Sequence, residues 1–152
     1  HPLLLQALKS HGFFKQNFPK TIGPELFNLN YLSSAQSVSG TQRLPAADVL
    51  ATLCRFSAET LAEGIIKSTG KQRFALYVSG GGIHNPLMMK HLKDMFANHT
   101  VQTTAALGIH PDAKEAVLFA VLANQCLCSK QPASGLGTAV PLVGMGKISL
   151  AP

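Results

Sequence analysis

The chain has 152 residues, of which 46% are hydrophobic and 13% are charged, with 13 Lys and Arg against 7 Asp and Glu. A chain of this length and composition is long enough to bury a core and too apolar to be disordered, which predicts one globular domain. The net charge of +6 is scattered, which argues against a nucleic-acid binder, and no apolar run approaches the roughly 18 residues of a membrane span.

The first 44 residues predict one short helix followed by irregular chain. Leucines recur at helical spacing over residues 2–11, and Gly12 ends the pattern. Aromatic residues and prolines over residues 13–24 argue against a regular element there. Residues 25–33 have room for a further helical turn or two. The polar segment 33–44 is predicted to be a flexible loop.

A long helix is predicted from Pro45 to about Thr69. Proline suits a helix start, Asp48 places a negative charge near the helix N-terminus, and Gly70 suits the end. Apolar residues recur along the helix at a spacing of three to five and predict one buried face. They are Val49, Leu50, Leu53, Phe56, Leu61 and Ile65.

Beyond this helix, short strands and helices alternate, which is typical of an α/β fold. Residues 73–79 predict an apolar strand, a helix follows Asn85-Pro86, and residues 99–105 predict a second strand. Pro111 begins another helix.

This last helix is apolar on most sides over residues 116–123 and is therefore predicted to be buried. A glycine-rich loop at 135–146 and a last strand at 147–151 complete the predicted elements.

The cysteines and histidines predict no cross-link and no metal site. There are three cysteines, an odd number without a repeated spacing: Cys54, Cys126 and Cys128. This predicts free thiols in a reducing, cytoplasmic setting. The six histidines lack the spacing of metal ligands. The chain opens on His1 instead of methionine, which predicts a piece or a processed product of a longer protein.

The first candidate site is the run of glycines, Gly80, Gly81 and Gly82, that directly follows the predicted strand. Glycines let the backbone turn sharply and let a ligand approach the main chain, and the next helix would offer N–H groups to an anion. Ligands of open α/β sheets bind at the carboxyl ends of strands. The run matches neither G-x-G-x-x-G nor the phosphate-binding G-x-x-x-x-G-K-[ST], so a tight turn without a ligand is an equal alternative.

The second candidate is Glu115, which lies one turn into the apolar helix. A buried carboxylate is unfavourable unless it is paired, hydrogen-bonded or used in function. Pairing with Lys114 or the helix start, or partial exposure to solvent, would explain this residue without a function.

Residues 77–88, Tyr-Val-Ser-Gly-Gly-Gly-Ile-His-Asn-Pro-Leu-Met, resemble the adenosine-binding segment of anhydro-N-acetylmuramic acid kinases, which belong to the sugar kinase/Hsp70/actin superfamily. Residues 19–28, 48–61 and 108–123 resemble other motifs of this family in the same order. The glycine motif is shared across the superfamily, whereas the ordered set covers most of the chain and is specific.

The resemblance implies that residues 1–152 are the C-terminal, nucleotide-binding lobe of a two-lobe kinase, with a ribonuclease-H-like α/β fold and a small mixed sheet flanked by helices. The complete protein would use ATP, Mg²⁺ and water to open 1,6-anhydro-N-acetylmuramic acid and phosphorylate its O6 in peptidoglycan recycling. The family's phosphate-binding loop and its aspartate base belong to the first lobe and match nothing in this sequence. The chain alone is therefore expected to be inactive.

The same resemblance implies roles for individual residues. The three glycines and Asn85 would contact the nucleotide, and His84 is a weaker candidate whose side chain would equally serve to cap the next helix. Glu115 would contact the anhydro amino sugar. Two copies of the protein would pair through this lobe.

Three parts of the chain depart from the family pattern. Residues 20–25 read Lys-Thr-Ile-Gly-Pro-Glu instead of Lys-Ser-Thr-Gly-Arg-Glu, Gly137-Thr138-Ala139 replaces Thr-Gly-Ala, and Val121 replaces a tryptophan. These changes and the missing lobe leave an alternative open, a non-catalytic dimerisation or association module derived from the kinase. Its contact face would come from the helices around residues 49–65 and 116–123.

Overall fold

The computed structural model describes residues 1–70 and 72–128. The α-helices and strands in chain order are α1 (Pro2–Lys9), α2 (Leu29–Ser39), α3 (Ala46–Thr69), β1 (Ala75–Val78), α4 (Pro86–Met95), β2 (Thr100–Thr103) and α5 (Lys114–Cys128). Short 3-10 helices lie at Gly12–Lys15, Gly81–His84, Thr104–Leu107 and Pro111–Ala113. The predicted strand at 147–151, the loop at 135–146 and the altered motif at 137–139 lie outside the described residues.

These elements fall into two compact units. Of the described residues, the first contains 1–70, 72–76 and 84–101, and the second contains 77–83 and 102–128. None of the helices in the described ranges combines the length and the apolarity needed to cross a membrane.

The core of the first unit forms where α1, α2 and α3 meet. Leu4 and Leu8 of α1 lie one turn apart, so they share a face, and both are fully buried. Ala35 and Phe56 complete the buried cluster. The Tyr31 hydroxyl donates a hydrogen bond to the carbonyl of Leu8 and ties α2 to the end of α1. The predicted first helix is confirmed, although it ends at Lys9.

Most of the segment predicted to be a flexible loop lies in helix α2. The Asn28 side chain caps this helix by accepting a hydrogen bond from the Tyr31 N–H at 3.1 Å, and Gly40 ends it with a φ of 65°. Ala35 is buried against the core. The loop prediction was wrong because packing on α1 outweighs the low helix propensity of several serines.

Helix α3 begins after Pro45 and ends before Gly70, as predicted. The predicted buried face is only partly correct, because Leu50 and Leu61 are 66% and 52% exposed. Both α1 and α4 pack on α3, so the buried positions include small and hydroxyl residues that an apolar pattern does not mark. The buried residues of α3 are Thr52, Phe56, Ala58 and Ala62.

A network of ion pairs joins α1 to α3. Lys9 Nζ lies 2.7 Å from Glu59 Oε2 and 2.5 Å from Glu63 Oε1, and Arg55 Nε lies 2.9 Å from Glu59 Oε1. Burial raises the pKa of Glu59, but the hydrogen bonds from Lys9 and Arg55 outweigh it and leave this pKa below its ordinary value. A carboxyl group with a lowered folded pKa stabilises the fold above its unfolded pKa, and this contribution is lost as the pH falls through the folded value.

We therefore expect the free energy of unfolding to fall as the pH drops below 4.5, the ordinary pKa of a glutamate. Glu59→Gln should make this pH dependence shallower, because glutamine does not take up a proton. Urea unfolding of the parent and the variant between about pH 6 and pH 3 measures both slopes. In a Lys9→Met background the substitution should change the slope much less, and an equal change in both backgrounds would show that Lys9 does not lower this pKa.

β1 and β2 pair in a two-stranded sheet and are connected by α4. The Thr100 N–H donates to the Phe74 carbonyl at 3.4 Å, which places the start of β2 beside the start of β1, so the two strands are parallel. This β-α-β unit confirms the predicted α/β class. Within the described ranges the sheet is a parallel pair, so the mixed sheet expected from the resemblance is not found there.

The end of α4 is anchored by aromatic contacts within the first unit. Phe96 is 1% exposed, and its ring centre lies 5.4 Å from that of Phe74. The His99 ring stacks on Phe74 with a centre-to-centre distance of 3.9 Å. These contacts fix α4, and with it the position of its N-terminal cap, Asn85.

Helix α5, in the second unit, is exposed although its sequence predicts burial. None of its residues is buried, and Phe119 and Leu127 are 67% and 71% exposed. The prediction was wrong because an apolar pattern shows what a helix is able to bury, whereas burial also requires a packing surface. The described part of the second unit provides only short elements beside this helix.

Candidate functional site

The glycine run forms a tight turn directly after β1, as the sequence predicts. Gly80 has a φ of 81°, which lies in the left-handed region that favours glycine. The Ile83 N–H donates to the Gly80 carbonyl at 3.1 Å and leads the chain into the 3-10 helix Gly81–His84. The backbone conformation alone therefore accounts for glycine at position 80.

The backbone does not account for the other two glycines. Neither Gly81 nor Gly82 has a positive φ, and a Cβ atom at either position would meet no described atom within 4 Å. Both residues are exposed. A side chain there would occupy open space beside the main chain, which is the space that a ligand lying against the turn would need. The geometry leaves space for a ligand beside the turn, and it fits a tight turn without a ligand equally well.

A hydrogen bond joins this turn to the segment that leads into α5. The Gly80 N–H donates to the Pro111 carbonyl at 3.2 Å, and Pro111 is buried. Glu115 lies in the first turn of α5, shortly after Pro111. The second unit therefore brings together the two regions that the sequence marks as candidates, although they are far apart along the chain.

Glu115 is exposed and is not a buried carboxylate, which agrees with the alternative that exposure to solvent explains this residue without a function. A negative charge in the first turn of a helix interacts favourably with the helix dipole, which explains why this residue is tolerated without burial or pairing. An exposed carboxylate is also accessible to a ligand rich in hydroxyl groups. The contact between Gly80 and Pro111 places the start of α5 beside the glycine turn, and Glu115 lies in the first turn of that helix.

Asn85 caps α4 and accepts hydrogen bonds from the N–H groups at the N-terminus of this helix. These are the N–H groups that an anionic ligand would need. Its Oδ1 accepts from the N–H groups of Leu87 and Met88 at 3.0 and 3.1 Å, and its carbonyl accepts from Met89 at 3.1 Å. Pro86, the first residue of the helix, has no N–H. The prediction that this helix N-terminus offers N–H groups to an anion was therefore wrong, and the segment suits a neutral part of a ligand better than a phosphate.

Two further residues lie close to Asn85. His84 precedes it in the chain, and Cys54 lies near it in space. His84 is exposed at the end of the 3-10 helix, and α4 takes its cap from Asn85, so the cap does not depend on His84. Cys54 Sγ, on α3, lies 3.9 Å from Asn85 Oδ1 as a weak donor. Sequence reasoning missed this contact because only the packing of α4 on α3 brings the two residues together.

The three cysteines are free thiols, as predicted. Within residues 1–70 and 72–128, no three His, Cys, Asp or Glu side chains converge into a group able to hold a metal ion. None of the described residues is assigned as a metal ligand.

Comparison with known proteins identifies relatives over most of the chain. The model of the family anhydro-N-acetylmuramic acid kinase matches residues 1–141. A protein named anhydro-N-acetylmuramic acid kinase from Pseudoalteromonas atlantica is 53% identical over 98% of this chain and 38% of the relative. Proteins of the same name from Pseudoalteromonas translucida and Pseudomonas fluorescens are 47% and 42% identical over 97% and 83% of this chain. The chain spans between 34% and 38% of the length of these relatives.

Proposed function

The chain belongs to the anhydro-N-acetylmuramic acid kinase family, and we propose that it is the C-terminal, nucleotide-binding lobe of such a kinase, with a ribonuclease-H-like fold. The family match over residues 1–141 carries the proposal, and the hydrogen bond from Gly80 to Pro111, which joins the open glycine turn to the start of α5, supports it. Since the chain spans 38% of its relatives, we assign the phosphate-binding loop and the catalytic base to the rest of the protein.

In the proposed reaction, the complete protein opens 1,6-anhydro-N-acetylmuramic acid with water and phosphorylates its O6, as part of peptidoglycan recycling. ATP, when bound, supplies the phosphoryl group. The part played by this chain is to bind and orient the nucleotide. The exposed backbone of Gly81 and Gly82 would lie against the adenosine, where a side chain of any other residue would intrude.

We assign supporting contacts to the two residues that follow the turn. Asn85 uses its side-chain oxygen to cap α4, so it would offer its amide nitrogen to the nucleotide. His84, at the end of the 3-10 helix, would lie beside the nucleotide. Both assignments come from the match of residues 77–88 to the family motif.

Glu115 is the proposed sugar contact of this lobe. An exposed carboxylate accepts several hydrogen bonds, and the hydroxyl and amide groups of an amino sugar donate them. Its place in the first turn of α5, after the Pro111 carbonyl that accepts from Gly80, puts it in the same unit as the glycine turn. We propose a binding and orienting role, not that of a general base.

Family membership is also the ground on which we propose a cytoplasmic location and the pairing of two copies of the complete protein. The alternative, a non-catalytic association module, gains no support from the relatives, all of which are named as kinases. We therefore retain the kinase lobe as the proposed function.

A chimera tests this proposal. The segment of the Pseudoalteromonas atlantica relative that matches this chain is replaced by residues 1–152, and the product is assayed with ATP, Mg²⁺ and 1,6-anhydro-N-acetylmuramic acid. We expect formation of the sugar 6-phosphate at a rate within about tenfold of the unmodified relative, about 1.4 kcal/mol in activation free energy. The 152-residue chain alone should show no turnover.

Turnover by the isolated chain would contradict the lobe assignment. A chimera that folds, and whose circular dichroism matches that of the relative, but that forms no product would contradict the kinase function and favour the association module.

A further inference from the structure

An open groove of about 450 Å³ lies in the first unit, along the C-terminal half of α3. We call it the aromatic groove, and its apolar lining includes Phe13, Phe14, Phe18, Phe27, Leu61 and Gly64. The proposed nucleotide and sugar contacts make no use of it. Its volume falls in the range of about 300–1,000 Å³ that is typical of small-molecule sites, which are mostly apolar with a few polar groups.

Lys20 places an ammonium group in the aromatic groove. Its Nζ lies 4.5 Å from the ring centre of Phe13 and 5.4 Å from that of Phe18, so cation–π contacts hold it among the rings. It donates one hydrogen bond, to the Phe13 carbonyl at 2.7 Å. An ammonium group has three N–H donors, so Lys20 retains the capacity to bind an anion.

The other charged groups of the lining leave the aromatic groove positive. Glu63 and Lys67 both line it, but Glu63 Oε1 lies 2.5 Å from Nζ of Lys9, a residue outside the lining. The negative charge of Glu63 is therefore compensated by Lys9, which lies outside the lining of the groove. Lys20 and Lys67 then give the groove a net positive charge, which complements an anionic ligand.

A glycine inside a helix keeps the aromatic groove open. Gly64 lies in the interior of the 24-residue helix α3, where glycine is less favourable than alanine. A Cβ atom at this position would meet only the tip of the Phe18 ring, at an ordinary contact distance of 3.8 Å. Packing does not demand glycine here, and its missing side chain enlarges the groove.

We propose that the aromatic groove is a second binding site of this protein, for a small organic anion with an aromatic or alkyl body. The body of the ligand packs against the phenylalanine rings, and its carboxylate or sulfonate accepts hydrogen bonds from the Lys20 ammonium. This site is independent of the glycine turn, so the inference does not rest on the proposed kinase function.

The fluorescent anion 8-anilinonaphthalene-1-sulfonate is the probe, titrated into the 152-residue chain. We expect a saturable rise in fluorescence. Gly64→Leu should fill the groove and weaken binding by about tenfold or more, while the loss of a helical glycine raises the thermal midpoint of unfolding. Lys20→Met should also weaken binding. Phe119→Ser, on exposed α5, should leave binding unchanged and serves as the matched control.

The requirement for a negatively charged ligand is tested by competition with the bound probe for the groove. 4-Phenylbutyrate should displace it at a concentration at least about fivefold lower than 4-phenyl-1-butanol, because only the carboxylate makes a charge-assisted hydrogen bond with Lys20. Equal displacement by the acid and the alcohol would overturn the anion specificity. Absence of saturable binding, unchanged binding in Gly64→Leu, or loss of binding in Phe119→Ser would overturn the site itself.

Discussion

Replacing Phe56 by alanine should lower the free energy of unfolding by about 3–5 kcal/mol. The Phe56 side chain is 8% exposed, and its ring centre lies 5.5 Å from that of Phe14 and 6.3 Å from those of Phe27 and Tyr31. Its removal leaves a cavity where three helices meet and deletes several aromatic contacts. Such a loss is a large fraction of the stability of an ordinary domain.

Urea unfolding followed by circular dichroism measures this loss, and Phe119→Ala on α5 makes the same chemical change at an exposed position. Because Phe119 is 67% exposed, its replacement should change the free energy of unfolding by no more than about 0.5 kcal/mol. Similar losses at both positions would show that α5 is packed, as its sequence alone predicts, and would contradict the core described above.

Glu115→Gln, made in the chimera, should lower kcat/KM for the anhydro sugar by about tenfold to a hundredfold. Replacing the carboxylate by an amide of the same shape removes the charge from its hydrogen bonds, and hydrogen bonds to a charged group contribute about 1.5–3 kcal/mol. The KM for ATP should not change, because the carboxylate is assigned to the sugar. Initial rates measured over a range of both substrates separate the two effects.

Asp94→Asn is the control for this prediction. Asp94 is an exposed carboxylate of α4 that lies 2.6 Å from Lys90, and a surface pair of this kind contributes little. Its replacement should leave both kinetic parameters as in the chimera. If Glu115→Gln behaved like Asp94→Asn, the assignment of Glu115 to the sugar would be wrong.

The sequence predicts elements well where local chemistry and packing agree. Helix α3 lies between Pro45 and Gly70 because both residues favour its ends, and its core residues Val49, Leu53 and Phe56 pack in the cluster that the pattern predicts. Helix α2 is different, since its serines favour a loop, and packing on α1 adds to the Asn28 cap and the Gly40 end in making the segment helical.

The candidate site shows the same division. The left-handed turn at Gly80 follows from local backbone preferences, so the glycine run alone predicts it. The contact between Gly80 and Pro111 joins distant parts of the chain, and no spacing along the sequence reveals it. The prediction that the N-terminus of α4 offers N–H groups to an anion was wrong, because these N–H groups donate to Asn85. The side-chain geometry of the cap determines these hydrogen bonds.

The aromatic groove was also outside the reach of pattern reasoning. The phenylalanines of residues 13–18 mark an apolar segment, but their relation to α3 depends on tertiary packing. The glycine at position 64 is the one feature of α3 that could have pointed to the groove, because a glycine in the interior of a predicted helix usually has a packing or functional reason.

Calorimetric titration of ATP·Mg²⁺ into the 152-residue chain tests the central claim most directly, with Gly81→Asp and Gly12→Asp as a matched pair. Each glycine is the first residue of a four-residue 3-10 helix, is exposed, and has no described atom within 4 Å of a built Cβ. The account predicts weak binding by the parent and by Gly12→Asp, and binding at least about tenfold weaker, about 1.4 kcal/mol, for Gly81→Asp. Equal affinity of the two variants, or no binding by the parent chain, would contradict a nucleotide site at the glycine turn.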